Sequence, residues 1–151
     1  MKWAALIAWV LTAGGGFVML AIWLRRGGMR QRDASERYIR PPLILGHFAL
    51  AATGLVLWII YLASDSEVLG WIALVLLAIV ALLGFTMLSV WYWQRQHRTA
   101  APAEAGVGAG APGGGEPAEQ HFPVPIVVLH GVLAIITVVL VLLTDAGVGG
   151  S

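Results

Sequence analysis

The chain has 151 residues, of which 59% are hydrophobic and 11% charged, with a formal net charge of +1. A soluble domain carries about 25% charged residues, so there is too little polar surface here to cover a water-facing globule; the mean hydropathy of +0.84 agrees. Cysteine is absent, which removes disulfides, thiolate metal sites, thiol nucleophiles and covalent haem attachment through a CxxCH motif.

The first uncharged run covers residues 3–24 and is long enough to cross a bilayer, which takes about 20 residues. Lys2 before an apolar run is also how a secretory leader begins. This run is too long for that and ends in Arg25-Arg26 without a small-x-small cleavage site, so it reads as an uncleaved anchor. The connection that follows holds Arg25, Arg26, Arg30, Arg32, Arg37 and Arg40 against Asp33 and Glu36. It reads as a topology signal, with contact to anionic lipid as the functional alternative. A short loop that carries two acids is not expected to bind nucleic acid.

Further runs cover residues 42–63, 68–93 and 122–144. Arg95 and Arg98 follow the third, so the two Arg-bearing connections hold eight of the nine Lys and Arg residues. The positive-inside rule places both connections in the cytoplasm and both termini outside. Trp3 and Trp71 are then expected at the outer interface, and Trp23, Trp91 and Trp93 in an aromatic belt at the inner one. Residues 99–120 are rich in Ala, Gly and Pro and read as a flexible cytoplasmic linker. Its GVGAGAPGGG stretch is no phosphate loop, because no strand precedes it and no Lys-Ser or Lys-Thr pair follows.

Sliding the first helix by 68 positions places Trp3 on Trp71, Ala5 on Ala73, Leu6 on Leu74 and Ala13 on Ala81. The same shift places Gly16 on Gly84, Phe17 on Phe85, Met19 on Met87, Leu20 on Leu88 and Trp23 on Trp91. The second helix meets the fourth at an offset of 83, with Pro42 on Pro125, His47 on His130, Leu50 on Leu133 and Ala51 on Ala134. Leu and Ala match easily by chance; Trp, Gly-Phe-x-Met-Leu and Pro-x4-His do not. The expected fold is therefore all-α: a four-helix transmembrane bundle of two tandem helical hairpins, related by an axis along the membrane normal. Small residues at helical spacing (Ala5, Ala8, Thr12 and Gly16, followed by Met19, on the first helix; Ala51 and Gly54, between His47 and Trp58, on the second) mark the faces that pack.

His47 and His130 each lie five residues beyond a proline, about 7.5 Å into their helices, and Met19 and Met87 each lie four residues before a Trp, about 6 Å deep. All four share one layer. Three readings of it are open. The His side chains bond across helices and the Met side chains fill space. Alternatively His47 and His130 are the two axial ligands of a b-type haem, with Gly16 and Gly84 giving a macrocycle room and Arg25, Arg26 or Arg40 meeting its propionates. Or His47, His130, Met19 and Met87 form a copper site, since imidazole and thioether suit Cu(I). His97 and His121 are expected to be solvated rather than ligating. No catalytic residues are expected: no carboxylate falls within the four runs, and Ser89 has no base beside it.

At GHFALAATGLVLWIIYLASD and HFPVPIVVLHGVLAIITVVLVLL the chain resembles small four-helix bacterial membrane proteins, which implies a bacterial plasma membrane and no particular activity. The paired His also look like those of di-histidine membrane cytochromes of the b561 type, although this chain has a single His layer. The expected function is a non-enzymatic polytopic membrane protein, an accessory or scaffold subunit. The alternatives are a small b-type cytochrome binding one haem, or a copper-binding membrane protein or small transporter. The expected partners are the lipid bilayer and either further copies of the chain or a larger membrane complex.

Overall fold

The computed structural model describes residues 1–30, 39–99 and 117–148. Four long helices carry them: α1 (Lys2–Arg25), α2 (Pro41–Ser64), α3 (Glu67–Thr99) and α4 (Val124–Asp145). Two short 3-10 turns, Gly28–Arg30 and Ala118–His121, accompany them. The described residues are all-helical, and all four helices are long and apolar enough to cross a membrane.

The helix ends follow from local chemistry. Pro41 and Pro42 open α2, where a missing N–H costs nothing and the fixed φ suits the first turn. Asp65 ends it in the left-handed region at φ 50, with its N–H bonded to the Tyr61 carbonyl. A short Asp side chain tolerates that conformation. Gly27 (φ 78) and Gly147 (φ 71) terminate α1 and α4 in the same region without the Cβ penalty. The expected third run ended at residue 93, but α3 continues to Thr99. Gln94, Arg95 and Gln96 are good helix formers, and no Pro or Gly interrupts them.

α1 packs most closely on α4, and α2 on α3; the α1–α2 and α3–α4 faces are looser. The main contacts thus run between the two expected hairpins rather than within them. Toward the Lys2 end, the buried residues Ala5, Trp9, Trp58, Tyr61, Ala73, Leu77 and Val141 form a core. Trp9 and Trp58 stand 6.4 Å apart by ring centroid. Gly54 makes that fit possible, since a Cβ there would lie 3.0 Å from the Trp9 ring. Lys2 pairs with Asp65 and sits 4.9 Å over the Tyr61 ring, closing that end.

The opposite, Arg-bearing end departs from expectation in two respects. Trp23 and Trp91 are buried, at 0% and 6% exposure, rather than standing in an interfacial belt. Gly28 folds back on Trp23 so closely that a Cβ there would fall 2.1 Å from the indole. The expected linker also divides. Thr99 closes α3, residues 100–116 lie outside the described residues, and residues 117–121 turn back beneath the bundle. Ala118 and Glu119 of that turn are fully buried, and the Trp91 indole N–H donates to the Glu119 carbonyl at 3.1 Å. Residues 117–121 are thus held to α3 through the Trp91 indole, rather than forming the end of a free linker.

Candidate functional site

α2 and α4 each project one imidazole toward the bundle centre. His47 and His130 both lie six residues after the first residue of their helix, about 9 Å from the Arg-bearing end. The strip of α3 opposite His47 and that of α1 opposite His130 carry glycine. His47 lies against Gly84, whose added Cβ would be 3.2 Å from the ring Cε1; His130 lies against Gly16 at the same 3.2 Å. A glycine inside a helix costs about 1 kcal/mol relative to alanine. Here it lets an imidazole reach the backbone of the neighbouring helix.

That reach ends in a hydrogen bond on each side. His47 Nδ1 lies 3.1 Å from the Val80 carbonyl oxygen, and His130 Nδ1 lies 2.8 Å from the Thr12 carbonyl oxygen. A carbonyl can only accept, so each Nδ1 carries a proton, and in the neutral ring the lone pair is then on Nε2. Each acceptor stands four residues before the glycine that the same ring covers. Val80 and Gly84 are also the residues that the 68-position shift pairs with Thr12 and Gly16.

The two rings face one another with centroids 6.4 Å apart and planes inclined at 57°. Both side chains are half-buried. An iron bound by two imidazoles holds their centroids roughly 6 Å apart, because metal–imidazole bonds are about 2 Å long. A direct hydrogen bond would bring the ring nitrogens to about 3 Å. The centroid separation lies close to that of two imidazoles on one iron, and two imidazole nitrogens are a donor set that suits haem iron.

Met19 and Met87 are half-buried three residues beyond Gly16 and Gly84, toward the Arg-bearing end. Among the described residues no group of three or more His, Asp or Glu could hold a metal. His97 is exposed and bonds to the Trp93 carbonyl of its own helix at 2.9 Å. His121 is half-buried in the second 3-10 turn. Around His130 alone, the buried Thr137 hydroxyl meets that of Thr12 at 3.2 Å; Gly54 and Val80 hold the corresponding positions near His47.

Sequence reasoning missed Glu119, a fully buried carboxylate at the Arg-bearing end. Its Oε1 accepts from the Ile39 N–H at 2.9 Å and from Gln94 Nε2 at 3.2 Å. Its Oε2 is buried without a hydrogen-bond partner among the described residues. The residue falls in a segment that composition assigns to a linker, and no periodic pattern marked it.

No family model, curated protein or solved structure matches this chain.

Proposed function

We propose that this protein is a small b-type cytochrome of the bacterial plasma membrane, binding one haem between His47 and His130. The observation that carries this reading is the facing imidazole pair. Both Nδ1 atoms bond to helix carbonyls, which leaves the Nε2 atoms available as ligands, and the 6.4 Å ring separation is near the roughly 6 Å of two imidazoles sharing one iron, which supports this reading. Bonds of this kind from the non-ligating nitrogen to a carbonyl fix the tautomer and orient a metal-binding His. Gly16 and Gly84 keep the adjoining helix surfaces low, and Arg25, Arg26 and Arg40 lie at the nearer end, where propionates would be neutralised. Bound there, a haem supplies one-electron exchange.

In this reading the four helices span the bilayer, with the Arg-bearing end in the cytoplasm and both termini outside. The chain is a tandem repeat of one helical hairpin. Each His reaches the first helix of the other copy, so the repeat and the ligand pair are one arrangement. His47 and His130 would hold a haem nearer the inner face than the outer, so a partner on that side would be needed to exchange electrons with it. A further copy of the chain or a larger membrane complex would supply that partner.

A second reading keeps the protein as an accessory subunit with no cofactor. It is favoured by the two Nδ1 bonds, which by themselves join α2 to α3 and α4 to α1. A reduced-minus-oxidised spectrum of protein purified from haem-replete cells separates the two. The cytochrome gives a Soret shift and a sharp alpha band. A colourless preparation with normal yield supports the accessory subunit, and copper in that preparation would point to the four-residue site with Met19 and Met87.

A further inference from the structure

We propose that Thr137 is a positioning residue for His130, acting through Thr12, and that it makes the two haem ligands unequal; the inference rests on the cytochrome reading above. The observation that carries it is a two-point grip on one residue of α1. The Thr12 carbonyl accepts from His130 Nδ1 at 2.8 Å, and the Thr12 hydroxyl lies 3.2 Å from that of Thr137. His130 and Thr137 stand seven residues apart on α4, about two turns, and so share a face. A helical carbonyl points toward the C-terminus of its helix, while the side chain leans toward the N-terminus. Thr12 therefore meets His130 on its Arg-bearing side and Thr137 on its other side.

The hydroxyl pair is well enclosed. Thr137 is 0% exposed. Thr12 Oγ1 lies 2.8 Å from the Ala8 carbonyl oxygen, and Thr137 Oγ1 lies 2.8 Å from that of Leu133. Each hydroxyl has one proton and two lone pairs. One of them donates to its own helix and accepts from the other, which ties α1 to α4 at this level.

The other half of the bundle lacks this second grip. The 68- and 83-position shifts put Val80 where Thr12 stands and Gly54 where Thr137 stands. Val80 offers His47 a carbonyl, at the longer distance of 3.1 Å, but it has no hydroxyl, and Gly54 has no side chain to meet one. The Trp9 ring takes the space beside Gly54, 3.0 Å from where a Cβ would stand. The difference bears on ligand strength. A bond from Nδ1–H to a fixed carbonyl makes the imidazole more basic at Nε2, and such hydrogen bonding is one of the levers that set a haem potential. A more basic ligand favours ferric iron, so loosening Thr12 should raise the potential.

The test compares the wild type with Thr137→Val, which keeps the branched shape and loses the hydroxyl, and with Thr137→Ser, which keeps the hydroxyl. Thr53→Val is the control, because the exposed Thr53 hydroxyl bonds to the Ala49 carbonyl of its own helix. The midpoint potential of the purified holoprotein is expected to rise in Thr137→Val and to stay at the wild-type value in the other two. Nitrogen-15 resonance of the reduced protein gives a second readout. The His130 Nδ1 proton should exchange with solvent more slowly than that of His47, and Thr137→Val should remove the difference. A Thr137→Val protein with full haem content, the wild-type potential and wild-type proton exchange would overturn the proposal and leave the cytochrome reading intact. An equal rise in Thr53→Val would do the same. Should Thr137→Val not fold, the wild type decides, since equal exchange at the two histidines overturns the assignment. A colourless wild type would remove both readings.

Discussion

His47→Ala and His130→Ala, each made alone, are expected to yield a folded protein that carries almost no haem. Each substitution removes one of two axial ligands and also the Nδ1 bond that oriented it. Loss of an orienting partner alone typically weakens a metal site by about 10–100-fold, so losing the ligand as well should exceed that range. The bundle itself should persist, because its main core lies elsewhere, around Trp9, Trp58 and Tyr61. Bound haem per protein, measured beside yield and helical content, checks this. If one variant kept full haem content with an unaltered low-spin spectrum, that residue would not be a ligand.

The second large effect is expected at the glycines, where stability and cofactor binding should move in opposite directions. Gly16→Ala and Gly84→Ala each place a Cβ 3.2 Å from an imidazole Cε1. The ring must give by a few tenths of an ångström, and the Nδ1–carbonyl bond beside it is strained. Haem affinity should fall by about 10–100-fold, the range for a lost orienting bond. Alanine also favours the helix over glycine by up to about 1 kcal/mol, so the haem-free protein should unfold at the same temperature or higher. Haem titration and thermal unfolding of the same detergent-solubilised samples check both halves. Equal losses in the two measurements would mean that the glycines serve packing alone.

The four helices were legible because an uncharged run of bilayer length leaves a chain few alternatives. His47 and His130 were legible as a layer because helical rise converts equal spacing from Pro42 and Pro125 into equal depth. Their hydrogen-bond acceptors were not. Val80 and Thr12 contribute only backbone carbonyls, and a carbonyl leaves no mark on side-chain pattern. The closest helix pairs also escaped the sequence. Small residues mark a packing face but not which neighbour fills it, and α1 turned out to lie on α4 and α2 on α3.

Trp23 and Trp91 were misjudged for a related reason. An indole near a helix end suits an interfacial belt equally well as a buried end-plug. What decided the matter was Gly28 folding onto Trp23 and the Ala118–His121 turn offering Trp91 a carbonyl. Composition averaged that turn into the Ala/Gly/Pro-rich stretch before it, so Glu119 was hidden among residues with no packing pattern. Four residues are too few for periodicity to register. They are enough to bury a carboxylate when an N–H from Ile39 and an amide from Gln94 converge on it.

The proposed cytochrome requires His47 and His130 to meet on one iron, and low-temperature electron paramagnetic resonance of the oxidised, purified protein tests that most directly. The expected result is a low-spin ferric signal from two imidazole ligands, close to one spin per chain, that disappears when either histidine is replaced. A high-spin signal, or protein without haem iron, would contradict it.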